Sequence, residues 1–230
     1  MGKTVQLRTG STRVGLTLPD GTPILATREP PATVSKTAFA ADLDEALARF
    51  SLAGYRVAVV LADKTRLCDY GRYLPVLVER LDAHGADPAG IVFYIAYGTH
   101  PVQNDTESNT AYVEVFSRCR FVHHDCADDT LFQDLGTTIR GTPIRLRKDI
   151  LQSDVIITFG AISHHYFAGY GGGRKLIFPG LGSREAIYRN HGLFLDPKHR
   201  MLSPGCRSGH LEGNPLADDL AEIERRRPAD

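Results

Sequence analysis

The sequence predicts an α/β fold, a Rossmann-like and mostly parallel β-sheet covered by helices, with a small β extension at the N-terminus. Continuously apolar runs, typical of buried parallel strands, occur at residues 55–62, 91–96 and 154–159, and a further strand begins at Phe121-Val122. Segments with helical spacing lie between these runs. Because strand and helix alternate along the chain, the sheet is expected to be mostly parallel.

The predicted helices have recognisable ends. They cover residues 38–50, 74–84 and 183–189, and a last helix begins at residue 214. Gly85 stops the second helix, and Ser183 is expected to cap the third with its side-chain oxygen. Asn214-Pro215 has the cap-then-proline order that favours the start of the last helix.

Two domains are predicted, an N-terminal β extension at residues 1–34 and a Rossmann-like domain at residues 35–230. The first segment holds short β-like pieces and the turn residues Pro19-Asp20-Gly21. We interpret it as a peripheral hairpin or an added edge strand that carries no chemistry.

The charge balance argues against a nucleic-acid-binding protein. The 230 residues carry no formal net charge, and 42% of them are hydrophobic, which is enough for a proper core. Proteins that bind nucleic acid usually have a basic surplus, so no such partner is expected. The basic clusters at Arg145, Arg147 and Lys148 and at residues 225–227 are expected to be solvated faces or chain ends.

Membrane insertion and secretion are not expected either. No stretch approaches the roughly 20 apolar residues of a membrane span, and residues 1–10 lack the apolar core of a signal peptide. We therefore expect a cytoplasmic protein with reduced cysteines, and without a Cys-x-x-Cys pair a structural zinc site is not expected. The cysteines are Cys68, Cys119, Cys126 and Cys206.

Polar and ionisable residues follow each predicted strand. In an open parallel sheet, ligands bind beyond the carboxyl ends of the strands, so these residues are the first candidates for a functional site. They are Asp63-Lys64-Thr65-Arg66, Gly98-Thr99-His100, His123-His124-Asp125, and His164-His165 with a glycine-rich loop.

The glycine-rich loop is the most informative segment. Consecutive glycines, among them Gly172 and Gly173, let backbone N–H groups approach an anion, and Arg174 and Lys175 add positive charge. The alternative is a flexible turn, which the preceding His165 and the following basic pair make the weaker reading. The spacing fits neither a Walker loop nor the dinucleotide pattern G-x-G-x-x-G.

The other candidate site residues each have two possible interpretations. His100 and His165 follow adjacent strands, where they form either a pair of acid/base groups or caps of their loops. Asp63 and Arg66 form either a carboxylate-binding site or a local ion pair on the surface. His191 is either a metal ligand or a partner of a helix dipole, and one histidine holds a metal only if a cofactor supplies the other ligands.

The chain resembles the nickel-pincer lactate racemase family through motifs whose order and spacing match over roughly residues 55–225. Single motifs are weak, whereas the His-Tyr-Phe-Ala-Gly block with its glycine-lysine tail and a following Asn-His is specific. The motifs are Asp63-x-x-Arg66, Gly98-Thr99-His100, His124-Asp125, the block from His165 to Lys175, and Asn190-His191.

The resemblance implies a cofactor-binding domain. The cofactor is a nickel-pincer nucleotide, nickel pyridinium-3,5-bisthiocarboxylic acid mononucleotide, whose carbon and two sulfurs hold the metal. By resemblance, His191 completes the nickel coordination and Lys175 attaches to the cofactor through a thioamide. Further cofactor-binding residues are expected to be Asp63, Gly172, Gly173 and Arg174.

The implied activity is racemisation or epimerisation of a lactate-like 2-hydroxy acid by hydride transfer. This route avoids building a dianion at a carbon that already carries a carboxylate. His100 and His165 are expected to act as alternating bases, and Arg66 as the residue that anchors the substrate carboxylate.

The sequence departs from the family in two respects. Many relatives carry a basic residue directly after the histidine of the Gly-Thr-His motif, whereas this chain has Pro101. Family enzymes also have a C-terminal domain that closes over the site, and that partner is expected to be missing from this chain. The alternatives are a non-catalytic nucleotide- or phosphate-binding domain and, less favoured, a nucleotide-dependent dehydrogenase.

Overall fold

The computed structural model describes residues 2–25 and 33–226. The chain divides into two compact units, Met1–Val34 and Ser35–Asp230. The first unit contains an antiparallel hairpin of β1 (Lys3–Thr9) and β2 (Thr12–Leu18). The N-terminal extension therefore takes the hairpin form, one of the two forms expected from the sequence.

The second unit alternates strands and helices as predicted. In chain order it contains α1 (Lys36–Leu47), β3 (Val57–Ala62), α2 (Tyr70–Ala83), β4 (Ile91–Ala96), α3 (Asp105–Tyr112), α4 (Glu114–Arg118), β5 (Arg120–His123), β6 (Phe132–Thr137), β7 (Pro143–Arg147), β8 (Val155–Phe159), β9 (Ser163–His165), β10 (Gly169–Gly171), α5 (Arg184–Gly192), β11 (Leu195–Asp196), β12 (Met201–Leu202) and α6 (Pro215–Arg226).

The central sheet is fully parallel, with the spatial order β5-β4-β3-β8. Every residue of β3 is buried, which is why its sequence has no polar face. From β3 the chain builds the sheet outward through β4 to β5 and then returns to place β8 on the other side of β3. This change of direction between β3 and β8 confirms the Rossmann-like prediction and marks the position where such sheets bind ligands.

Two apolar clusters support this sheet and its loops. The larger cluster packs the sheet against α2, with Leu74, Leu77 and Leu81 at most 1% exposed. The second packs β7, α5 and α6 together, and its members include Leu146 and Leu220. Residues 172–182 precede α5 in the chain and contribute side chains to both clusters. This packing anchors the C-terminal end of the glycine-rich loop.

The predicted helix caps are confirmed. The Ser183 hydroxyl accepts a hydrogen bond from the Ala186 N–H at 3.4 Å. The side-chain oxygen of Asn214 accepts from the N–H groups of Leu216 and Ala217 at 3.1 and 3.2 Å, so α6 begins as its sequence indicates. The four cysteines are free thiols, as expected.

Some expectations were wrong or incomplete. Arg147 is not a solvated residue, because it is 5% exposed and its guanidinium donates to Asp149 at 2.8 Å and lies 5.6 Å from the Tyr94 ring. The helix predicted from residue 74 begins at Tyr70 and carries Pro75 inside it. The sequence analysis missed α3, although Asn104 and Glu107 form a capping box at its start. Residue 227, in the second basic cluster, lies outside the described residues.

No helix among the described residues, 2–25 and 33–226, is long and apolar enough to cross a membrane.

A tyrosine hydroxyl ends the pairing between the two strands at the change of direction. The last paired residues of β3 and β8 are Leu61 and Phe159. The Tyr70 hydroxyl accepts from the Ala62 N–H and donates to the Phe159 carbonyl, both at 2.7 Å, and so takes the place of the next rung. The segments that follow β3 and β8 can then separate without leaving buried backbone groups unpaired.

Replacing Tyr70 by phenylalanine is expected to lower the free energy of unfolding by about 1–3 kcal/mol, because it leaves the buried Ala62 N–H and the part-buried Phe159 carbonyl without this partner. Urea denaturation of the two proteins measures this difference. The matched control is Tyr188→Phe, which removes a hydroxyl from a tyrosine that is 63% exposed. Equal effects of the two substitutions would contradict the role assigned to Tyr70.

Candidate active site

A cleft of about 1040 Å³ opens at the carboxyl ends of β3, β4 and β8. Residues 63–66 after β3, residues 97–103 after β4 and residues 160–175 after β8 provide most of its walls, and α5 adds Ile187 and His191. The Gly98 N–H donates to the Gly180 carbonyl at 2.9 Å, which joins the loop after β4 to the end of the glycine-rich segment.

Seven of the nine site residues predicted from the sequence line this cleft. They are Asp63, Arg66, His100, His165, Gly172, Lys175 and His191. Gly173 and Arg174 do not line it, and Arg174 instead lines a small separate cavity with Leu220 and Glu224 of α6. Since α6 is distant in sequence, no local pattern indicated that the two members of the Arg174-Lys175 pair face different cavities.

Gly172 has a backbone reason to be glycine. Its φ angle is 83°, and a Cβ atom on it would collide with the Ala161 carbonyl. The loop after β8 therefore folds back closely on its own first residues. This contact gives at least one glycine of the loop a role in forming the turn, independent of any ligand.

His100 is held by a buried carboxylate. Its Nδ1 lies 2.6 Å from Oδ2 of Asp63, a residue that is 4% exposed. Asp63 also accepts from the Thr65 N–H at 2.7 Å and from the Thr65 hydroxyl. Burial alone would raise the pKa of Asp63, but the hydrogen bonds from Thr65 and His100 outweigh it and lower that pKa.

The ionised Asp63 fixes the tautomer of His100. A carboxylate only accepts hydrogen bonds, so Nδ1 carries the proton, and in the neutral ring Nε2 keeps a free lone pair. Among the described residues, Asp63 forms no ion pair with Arg66 and contacts His100 instead. The structure therefore lacks the local ion pair that was one interpretation of these two residues. Arg66 is exposed and lines the cleft, where its guanidinium is available to an anion.

His165 has the opposite arrangement. Its Nδ1 accepts from the N–H groups of Phe167 and Ala168 at 3.4 and 3.1 Å, so a neutral ring carries its proton on Nε2. Burial, followed by the charges of Lys175 and His191, lowers the pKa of His165 to about 4. The Tyr166 ring stacks on the His165 ring with 4.9 Å between centroids.

His191 is held by a backbone carbonyl of its own helix. Its Nδ1 donates to the Ile187 carbonyl at 2.9 Å, one turn earlier in α5, which leaves the Nε2 lone pair free. Burial and the charge of Lys175 lower the pKa of His191, so its neutral form is favoured. Among residues 2–25 and 33–226, no group of three or more metal-binding side chains lies together.

The paired histidines at the end of β5 do not line the cleft. Nδ1 of His123 is hydrogen-bonded to the Tyr97 hydroxyl at 2.7 Å, and Nε2 of His124 donates to the Gly182 carbonyl at 3.0 Å. Both side chains hold neighbouring loops. Sequence analysis missed a similar role for Gln103, which is 3% exposed and accepts from the Lys64 N–H at 3.0 Å, joining the loops after β3 and β4.

Comparison with known proteins gives the family. Residues 13–202 match the model of the lactate racemase N-terminal domain. The chain belongs to the lactate racemase N-terminal domain family. Among curated proteins, the lactate racemase of Lactiplantibacillus plantarum is 30% identical over 173 residues, and that of Thermoanaerobacterium thermosaccharolyticum is 28% identical over 165 residues.

The chain spans only part of these relatives. The alignments cover 74% and 71% of this chain but 39% and 37% of the two curated proteins. The fold is also found in the lactate racemase apoprotein of T. thermosaccharolyticum, with a TM-score of 0.79 and 24% identity, covering 98% of this chain and 54% of that one. A Thermotoga maritima protein has a TM-score of 0.67 at 18% identity, with 84% and 48% covered.

Substituting Asp63 by alanine is expected to release the tautomer of His100. The free protein should show Nδ1–H as the main neutral form of His100, and the variant should shift towards the Nε2–H form that histidine prefers in water. Nitrogen-15 NMR of the ring distinguishes the two. Asp196→Ala, which removes the carboxylate 2.7 Å from His199, is the matched control and should leave His100 unchanged.

The free energy of unfolding is expected to fall as the pH drops from about 6.5 to about 4, because in this range histidines bind protons in the unfolded chain but not at their buried positions in the folded protein. The folded pKa values of His165 and His124 are both lowered to about 4, mainly by burial. The stabilising contribution is therefore complete above about pH 6.5 and is lost towards pH 4.

Urea denaturation midpoints at about pH 7 and about pH 4.5 measure this loss. The loss should be smaller in His165→Gln than in the unchanged protein or in the exposed control His199→Gln. An identical pH dependence in all three proteins would contradict the burial effect on His165.

Proposed function

We propose that this chain is the cofactor-bearing part of a 2-hydroxy-acid racemase or epimerase acting on a lactate-like substrate. The observation that carries the proposal is the convergence of His100, His165, Lys175 and His191 on one cleft. Each of these side chains has a different environment and can take a different role. The curated relatives are lactate racemases, of which this chain matches about two fifths, so the activity of the whole protein stays a proposal.

The residues present fit a nickel-pincer nucleotide. His191 offers one neutral nitrogen, which suits a metal whose other ligands belong to the cofactor. Lys175 offers an amine for covalent attachment, and its pKa is lowered to about 8 by burial and by the charges of Arg66 and Arg174. When bound, the cofactor supplies a carbon that accepts hydride from the substrate and returns it.

The other residues take proton-transfer and binding roles. Arg66 binds the substrate carboxylate, and Nε2 of His100 accepts the hydroxyl proton. His165 is the second proton-transfer group and contacts the substrate oxygen from its own side of the cleft. Both carboxylate oxygens of Asp63 are engaged by Thr65 and His100, so we propose that Asp63 acts on the reaction through His100.

A non-catalytic nucleotide- or phosphate-binding domain is the remaining alternative. That reading depends on the glycine-rich loop, including Gly172, Gly173 and Arg174, as an anion cradle. It has less support because Gly173 and Arg174 do not line the cleft. A second domain that closes over the cleft is part of the racemase proposal, and the length of the relatives supports it.

Replacing His191 by alanine is expected to abolish nickel retention in protein produced in cells that make the cofactor, because the chain then contributes no metal ligand. Metal analysis of the purified protein measures nickel per chain. The matched control is His199→Ala, which removes an exposed histidine. Undiminished nickel in His191→Ala would refute the ligand role, and absence of nickel from the unchanged protein would favour the binding-domain alternative.

A further inference from the structure

The side chain of Lys175 lies in the cleft without an acceptor for its ammonium group. Its Nζ has neither a hydrogen bond nor an ion pair with any described residue, and its recorded contact is with the Phe167 ring, 5.8 Å from the centroid. Lys64 lines the same cleft but forms an ion pair with Glu107. Of these two lysines of one cavity, Lys64 is therefore paired with a carboxylate and Lys175 is not.

The charged groups around Lys175 are cationic or engaged elsewhere. Arg66 from the loop after β3 and Arg174 from its own segment act on it electrostatically, as do His165 of β9 and His191 of α5 if they are protonated. The carboxylates that line the cleft are Asp63, which is bound by His100 and Thr65, and Glu107, which is bound by Lys64.

This environment favours the neutral amine. Burial, followed by Arg66 and Arg174, lowers the pKa of Lys175 from 10.5 to about 8. Near neutral pH the fraction of neutral amine is then roughly 300 times that of an ordinary lysine. A neutral lysine amine in an apolar pocket beside another cation is a nucleophile for carbonyl compounds. The remaining cationic groups select a carbonyl compound that carries a negative charge.

We propose that, without cofactor, Lys175 condenses reversibly with 2-oxo acids, whose carboxylate binds Arg66. The amine nitrogen attacks the carbonyl carbon to give a carbinolamine, which loses water to form an imine. The two hydrogens of the amine leave with the carbonyl oxygen as that water, so no oxidant or reductant takes part. The proposal requires neither nickel nor racemase activity.

The consequence is competition at one nitrogen. An oxo acid held as an imine blocks the amine that is proposed to attach the cofactor. A 2-oxo acid is also the oxidised form of a 2-hydroxy acid. Its accumulation would therefore reversibly block Lys175 in the cofactor-free cleft and delay attachment of the cofactor.

The test uses the 230-residue chain, pyruvate and sodium cyanoborohydride, which reduces an imine to a stable carboxyethyl amine. Intact mass should show one added carboxyethyl group, and peptide mapping should locate it on Lys175. Acetone, a neutral carbonyl compound, should label this lysine at least about tenfold less, because it lacks the carboxylate that Arg66 binds. The labelling rate should rise with pH and level off above about pH 8, as the amine loses its proton.

Variants separate the possible causes. Lys175→Arg and Lys175→Met should each lose the label, whereas the matched control Lys64→Arg should keep it. Labelling of Lys64 or Lys198 at the rate of Lys175 in the unchanged chain would overturn the proposal without any variant. Because nickel is absent from the test, its failure leaves the racemase proposal standing, and loss of nickel binding in the earlier experiment leaves this one standing.

Discussion

The buried carboxylate of Asp63 controls the arrangement of the cleft. A charged group that is 4% exposed is stable only if donors surround it, and Thr65 and His100 provide them. The same bonds turn the loop after β3 and orient the histidine after β4. One acidic residue at the end of a strand therefore fixes a turn, a tautomer and the distance between two neighbouring loops.

The change of direction in the sheet gives this carboxylate its place. β3 and β8 are paired up to Leu61 and Phe159, and the Tyr70 hydroxyl then satisfies the next backbone groups of both strands. Beyond this point the segment after β3 and the segment after β8 both line the cleft. The buried polar bridge thus allows the cleft to open directly beside a buried strand of the sheet.

The fold and most of the cleft could be predicted from the sequence, since both depend on local signals. Continuous apolar runs predicted the four strands of the central sheet, and the polar residues after β3, β4 and β8 predicted the cleft. Contacts between distant segments could not be predicted in this way. The burial of Arg147 beside Tyr94 and the position of Arg174 against α6 depend on packing, which no spacing of residues records.

The hydrogen bonds of the two cleft histidines have a consequence for any bound alcohol. When both rings are neutral, His100 presents a lone pair and His165 presents an N–H, because their Nδ1 atoms bond to a carboxylate and to backbone amides, respectively. A hydroxyl group that contacts both rings can donate only to the first and accept only from the second. The resting cleft is therefore polarised, and it orients an O–H bond in a single sense before any covalent bond changes.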